Sequence, residues 1–427
     1  MDCSLASTRI SCGRLRVLAI VAGIIALRLV LVHPSIQNLL EELALVLPHN
    51  LGRAQYSSIS SLYPFNEDPE KVCSIRTCWK PCTGPEFTYH EFDLSDLRNK
   101  LPKGMFSPGI QFEKTSEVAR RMIHVSTPNE ACLRIVPSVP CLFAQRNKFF
   151  ELLPEAVGGP SIWRNGENVL IVSQCDERVD LNARRKFLGK AAIAQNHCLR
   201  DNYIPEFDLS LPLVPQVKVS GQKRHDKIFG DRKYILTFKG STYAKRSPPP
   251  ASFKNNPAPP KLGQHRTQLK ALHDPARGVI VALRCLDREM HLYPESSNCS
   301  SWNHEFGKYD YVDLLNSTFA LIPGGRSPGT YRLTETLMAG SIPVFVDQFD
   351  DRSYVRPLDG IVPWELMSVR ISASMIHTLM PSLLRWSRED VVAARKKGTE
   401  ATETFLLQYE RWALKIYMNR LFFGTSL

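Results

Sequence analysis

The first strong hydrophobic feature is the run Val17–Leu27, preceded by Arg9, Arg14 and Arg16, extended past Arg28 by Leu29–Val32 and closed by Pro34. Basic residues ahead of an apolar stretch, with no evident small-residue cleavage site after it, read as an uncleaved signal anchor: a cytosolic tail over 1–16, a membrane helix over 17–32 and type II topology. The run is shorter than the roughly 20 residues that a span prefers, and Arg28 interrupts it, although a long side chain near a helix end can snorkel to the interface. A cleaved signal peptide is the rival. Either way the rest of the chain enters the secretory lumen, and the expected location is a Golgi or endoplasmic reticulum membrane.

Residues 33–72 are mostly polar after a brief helix-like run at Leu39–Leu47, as a stem would be. Over 73–229 short apolar runs alternate with helix-like segments. Ala131–Val136 and Asn168–Ser173 read as buried strands, the second being nearly all apolar, as parallel sheets require. Such alternation predicts an α/β lobe. A second lobe is expected over 230–400. Its strand Tyr234–Phe238 ends at Lys239-Gly240, the kind of place where open α/β sheets put their ligands. Ser247–Pro260 is too proline-rich for regular structure and reads as a surface loop; a helix over Arg266–His273 and a strand over Val279–Leu283 follow. In the tail, 401–427, Phe405, Leu406, Tyr409, Trp412, Ala413, Ile416 and Tyr417 fall at helical spacing. A helix packed on the body is expected, with a membrane-surface helix as the alternative.

A length of 427 residues fits two domains, and 43% hydrophobic with 22% charged residues is ordinary globular composition. The net charge of +12 favours polyanionic partners: nucleic acid, anionic membrane, nucleotide-sugar phosphates or acidic glycans. No zinc finger, RNA-binding signature or long basic run is present, which argues against nucleic acid. Cys73, Cys78, Cys82, Cys132, Cys141, Cys175, Cys198, Cys285 and Cys299 follow the anchor, and a lumenal location permits disulfides among them. Their number is odd, so at least one stands outside intramolecular pairs, and the pairing is not legible. A zinc site at Cys73, Cys78 and Cys82 is the weaker alternative, because paired C-x2-C spacing is missing. Asn298 and Asn316 head glycosylation triplets.

Ser317–Val346 carries the most chemistry: strand, glycine-rich loop, helix, strand. Gly324, Gly325 and Gly329 allow close backbone approach, and the first helical turn near Thr330–Arg332 offers unpaired N–H groups and a positive dipole end. Arg326 and Arg332 add forked donors suited to a diphosphate. Glu335, one turn beyond Arg332, can accept both ribose hydroxyls. The plainer alternative is a surface i,i+3 ion pair beside an ordinary turn. Neither a P-loop lysine nor a dinucleotide fingerprint occurs, so ATPase and dehydrogenase readings lose support.

This segment resembles the exostosin domain of glycosyltransferase family 47, whose hallmark Arg332, Glu335 and Pro343 match. Arg232–Gly240, Lys308-Tyr-Asp-Tyr311, Phe207–Pro212, Glu130–Leu133 and Trp163–Asn168 are similar to the animal members that polymerise heparan sulfate, over roughly residues 73–420. The resemblance implies the GT-B arrangement of two facing Rossmann-like lobes, donor binding in the second lobe, inversion at the sugar carbon, and, for this half of the heparan enzymes, UDP-glucuronate as donor and an acidic glycan as acceptor. Those enzymes usually carry a further family 64 domain for which this chain has no room, so it is not expected to polymerise alone. A second exostosin subunit is an expected partner.

Inverting transfer needs a general base, for which Asp176 and Asp180 in the first lobe are the candidates. Lys239 with Gly240, and Arg266, are expected to join Gly324, Gly325, Arg326, Arg332 and Glu335 around the donor. No Asp-x-Asp stands in a suitable strand-end context, so neither a metal nor any other cofactor is required. Two other functions stay open: a catalytically weak subunit supporting a partner copolymerase, and a family 47 transferase acting on another polysaccharide.

Overall fold

The alternating runs form two parallel sheets in the computed structural model, which describes residues 78–82, 86–101, 122–141, 143–174, 184–196, 198–199, 203–217, 219, 223–242, 264–285, 299–324, 329–347 and 354–423. The anchor run, the stem, Asp176, Asp180, the proline-rich stretch, Asn298, Gly325 and Arg326 lie outside these residues.

The first sheet contains β1 (Phe87–Glu91), β2 (Met122–His124), β3 (Leu133–Val136), β4 (Val169–Ser173), β5 (Ala192–Gln195) and β6 (Leu209–Ser210), in the order β2-β1-β3-β4-β5-β6. Every pairing is parallel. β3, β4 and β5 are buried at every position, because both sheet faces are covered. On one face α1 (Ser95–Lys100) and α2 (Phe143–Ala156) set Leu97, Phe149, Phe150 and Leu153 against Val136, Val169, Ile171 and Ile193.

The second sheet contains β7 (Tyr234–Ser241), β8 (Val279–Arg284), β9 (Ser317–Pro323), β10 (Ile342–Asp347) and β11 (Val369–Ser372), in the order β11-β10-β9-β7-β8, again all parallel. β7 runs on through Lys239 and Gly240. Arg266–His273 forms a short α-helix, Gln264–Gln268, followed by a 3-10 turn, Leu269–Leu272. Helix α3 (Cys299–Lys308) covers one face of this sheet and α4 (Tyr311–Leu314) precedes β9. The β9-to-β10 crossover contains α5 (Tyr331–Met338), while α6 (Ile376–Leu383) and α7 (Arg388–Ala401) pack on the other face against Phe319, Leu321 and Val344. Two lobes of this kind are the GT-B arrangement that the resemblance implies.

The lobes meet at Cys198 and Ser210. Ser210 Oγ donates to Val355 O at 2.8 Å, Leu358 N to Ser210 O at 2.7 Å and Val355 N to Cys198 O at 3.0 Å. The last helix, α8 (Tyr409–Phe423), returns to the first sheet, where Tyr417 Oη donates to Phe207 O at 2.7 Å and its ring lies 5.4 Å from Trp79. Ala413, Ile416 and Leu421 are buried in the same cluster.

Cys82 and Cys132 are disulfide-bonded, tying the segment before β1 to the start of β3. Cys78, Cys141 and Cys285 are also in disulfides, so Cys78 and Cys82 serve as covalent ties rather than zinc ligands. Cys198 is a buried thiol donating to Gln195 O at 3.3 Å. Among the described residues, no helix is long and apolar enough to cross a membrane and no cluster of three or more His, Cys, Asp or Glu could hold a metal.

Candidate functional site

In the second sheet the chain steps from β7 outward to β8 and returns on the other side of β7 as β9. The strand order therefore reverses between β7 and β9, the kind of switch point at which open parallel sheets bind ligands. Past β9 the chain enters α5, whose N-cap Thr330 accepts from Arg332 N through Oγ1 at 3.3 Å. Gly340, with φ +72°, ends this helix. A Cβ there would lie 2.7 Å from Lys227 O, which reserves the position for glycine.

Arg332 is 5% exposed. Its guanidinium carbon lies 5.3 Å from the ring centroids of both Phe238 and Tyr311, and Nη2 makes long 3.4 Å contacts to Thr237 O and Oγ1. Among the described residues Nε and Nη1 are buried with no acceptor in hydrogen-bond geometry, while the Tyr311 hydroxyl favours the charged guanidinium. Burial lowers this guanidinium's pKa from its ordinary value, opposed by Tyr311 and Glu335, yet an arginine remains cationic. A buried cation with orphaned donors is costly by itself and well matched to an incoming anion.

Glu335 is 2% exposed, so it is no partner in a surface ion pair. Its Oε1 accepts the backbone N–H groups of Gln216 at 2.9 Å and Val217 at 3.0 Å, in the connector between the lobes. Its Oε2 accepts the Tyr311 hydroxyl. Desolvation raises the Tyr311 phenol well above its usual range, which keeps it a proton donor. The carboxylate that sequence logic gives to a ribose is thus already engaged by the connector, and Tyr311 touches both Arg332 and Glu335.

Arg266 braces this switch point. Its Nε donates to Gly324 O at 2.9 Å, Nη1 to Ser241 O at 2.8 Å and Nη2 to Pro323 O at 3.2 Å, joining the ends of β7 and β9. It also lies 5.4 Å from the Phe238 centroid, so one ring carries both arginines. A Cβ on Gly240 would come within 2.7 Å of that ring, so only glycine leaves it in place. Lys239 alternates to the face covered by α3, where its Nζ donates to Tyr309 O and sits 4.2 Å from the Phe306 centroid, and burial lowers its pKa. The structure therefore gathers Gly240, Arg266, Gly324, Arg332 and Glu335, and turns Lys239 away from them. Tyr311 and Phe238 carry no role that the sequence assigns. For Tyr311 the available signal is the Lys308-Tyr-Asp-Tyr311 motif, whereas Phe238 is indistinguishable in the sequence from any other strand aromatic.

A model of the exostosin GT47 domain matches residues 111–385. The chain belongs to the exostosin GT47 family. Exostosin-1 of Bos taurus is 26% identical over 402 residues, covering 88% of this chain and 48% of that protein. Exostosin-1b of Danio rerio is 26% identical over 338 residues, 72% of this chain and 41% of the relative, and the Exostosin-1 homolog of Caenorhabditis elegans 27% over 262 residues, 58% and 62%. The exostosin chain thus spans about half the length of these relatives. Among solved structures, WaaG, a glycosyltransferase involved in lipopolysaccharide biosynthesis, has a TM-score of 0.33 at 11% identity, covering 77% of this chain and 99% of that one. MurG of Acinetobacter baumannii has a TM-score of 0.29 at 15% identity, covering 60% and 69%. The fold assignment rests on the two sheets themselves.

Proposed function

We propose that this exostosin is an inverting glycosyltransferase of the secretory lumen that moves glucuronic acid from UDP-glucuronate to a heparan sulfate-type chain. The observation that carries the donor half is the buried Arg332 beside the C-terminal ends of β7 and β9, whose Nε and Nη1 have no acceptor in hydrogen-bond geometry among the described residues. Similarity to Exostosin-1 supports the sugar chemistry. The disulfide between Cys82 and Cys132 supports an oxidising compartment, and Val17–Val32 supplies the membrane anchor.

In this reaction the acceptor hydroxyl oxygen attacks C1 of the donor sugar as the bond from C1 to the diphosphate oxygen breaks. The hydroxyl proton passes to a carboxylate, Asp176 or Asp180, and the electron pair leaves with UDP. Arg332 offsets the charge that develops on the leaving group, and Arg266 holds the ends of β7 and β9 together. Arginine takes the place of a divalent cation, so turnover should persist in a chelator.

The test is transfer from UDP-glucuronate to an N-acetylglucosamine-ended acceptor by the full chain. Arg332→Ala should lower the rate on the order of 100-fold or more, as loss of one buried charge-stabilising donor does. Lack of transfer or hydrolysis with any UDP-sugar would reject the proposal. The engagement of Glu335 by the connector favours a second reading, a catalytically weak subunit supporting a fuller exostosin partner. Copolymer synthesis by a co-purified pair that survives Arg332→Ala would select it.

A further inference from the structure

Helix α8 buries Ala413, Ile416 and Tyr417 against the first sheet and turns another side outward. Before it the chain makes one π-helical turn, Thr402–Leu406, and bends at Leu407. On the outer side of this bend Leu407 is 48% exposed, and the partly exposed rings of Phe405 and Trp412 lie 4.7 Å apart. Lys415, one turn further along α8, sets its ammonium 4.4 Å from the Trp412 ring. The donor switch point uses none of these four side chains.

The chemistry of this patch is interfacial. The indole N–H of Trp412 donates to Thr404 O at 2.6 Å, so the ring can leave water without stranding a donor. Lys415 can keep its ammonium at a headgroup phosphate while its stem follows the ring inward. Beside the bend the exposed Arg224 lies 3.6 Å from Glu403, adding a second cation to the rim. Aromatic and aliphatic side chains rimmed by cations suit the boundary between acyl chains and headgroups. The chain also brings a membrane: the apolar run Val17–Val32 precedes the body, and the segment that follows it joins the body at Trp79, whose ring lies 5.4 Å from Tyr417 of α8.

We propose that the face formed by Phe405, Leu407, Trp412 and Lys415 docks on the lumenal leaflet of the membrane that holds the anchor. The inference rests on the membrane anchor in the reading above. A tether over 33–77 keeps the lipid surface at an effective concentration on the order of millimolar, so a patch that binds lipid only marginally by itself becomes occupied. A second copy of the chain suits this face less well. Three apolar side chains at one bend fall short of the roughly 800 Å² per partner that a stable protein interface buries, whereas a tethered lipid contact has no such threshold.

The test is tryptophan fluorescence of the full chain reconstituted in phosphatidylcholine vesicles brominated on the acyl chains, because bromine quenches only the tryptophans that reach the bilayer. Trp79, Trp163 and Trp364 are buried and should stay unquenched. Emission should fall relative to vesicles without bromine, and Trp412→Phe, which keeps a ring against Phe405, should lose most of that fall. Leu407→Glu should shift the docked-to-free ratio about tenfold toward free, read as lost quenching at an unchanged melting temperature. Unchanged quenching in either variant, or none in the wild type, overturns the contact. So does a Trp412 that bromine does not reach but that becomes shielded from acrylamide as protein concentration rises, which assigns the face to a second copy. Release of the full chain from the vesicles at alkaline pH overturns the anchor reading, and quenching of chain added to preformed vesicles at neutral pH then decides the face.

Discussion

His273 accepts the backbone N–H of Val281 through Nδ1 at 3.0 Å, while its Nε2 meets Glu305, which also pairs with Lys270. An accepting Nδ1 fixes the neutral tautomer, with the ring proton on Nε2 directed at Glu305. Burial, and then Lys270, hold the imidazole below its ordinary 6.5 and outweigh Glu305. The unfolded chain therefore takes up a proton at a pH where the folded one does not. This stability is fully present above 6.5 and is lost as pH falls below it toward the folded value. The melting temperature should fall between about pH 7 and 5 more steeply in the wild type than in His273→Asn, which keeps an acceptor but cannot titrate; parallel slopes would show that Nδ1 does not accept. At Gly240 the constraint is steric, since an added methyl would press on the Phe238 ring that carries Arg266 and Arg332. Gly240→Ala should cost about 1–3 kcal/mol in denaturant unfolding, as overpacking does, and should weaken UDP binding as well.

Helix α5 joins β7 to the connector between lobes. Glu335 accepts Gln216 and Val217, and Thr334 Oγ1 donates to Leu213 O at 2.8 Å, so the helix that presents Arg332 also holds the connector. Glu335→Ala strands two backbone donors and should cost roughly 1–3 kcal/mol in urea unfolding. Unchanged stability would mean that the connector amides find water instead. The strands at 131–136, 168–173, 234–238 and 279–283 were legible to within a few residues, because buried parallel strands are near-continuous apolar runs. Gln264–Leu272 was less so: the chain leaves α geometry after Gln268, a detail no apolar spacing encodes. The arginine pattern was legible too, but its division of labour was not. Nothing in the sequence reveals that Arg266 would be bound by three carbonyls, or that the alternation of β7 would send Lys239 to Phe306 and Tyr309.

Across the whole molecule, the first lobe is held by covalent and long-range contacts that sequence spacing cannot assign. The bond between Cys82 and Cys132 closes a loop of sequence separation 50, and Cys82→Ser should destabilise the fold by about 2–4 kcal/mol, read as a lower melting temperature. An unchanged melting temperature would mean that the packing of Trp79 against Phe207 and Tyr417 suffices to fix that segment. The sequence by itself determined the α/β class, the parallel character of the strands and the strand and helix on either side of 324–330, because these follow from local periodicity and residue chemistry. Only the tertiary structure decided which cysteines pair, that α8 returns to the first sheet, and that Glu335 is held by the connector. Each of these joins residues far apart in the chain, and local patterning carries no record of which distant partner a buried group will meet.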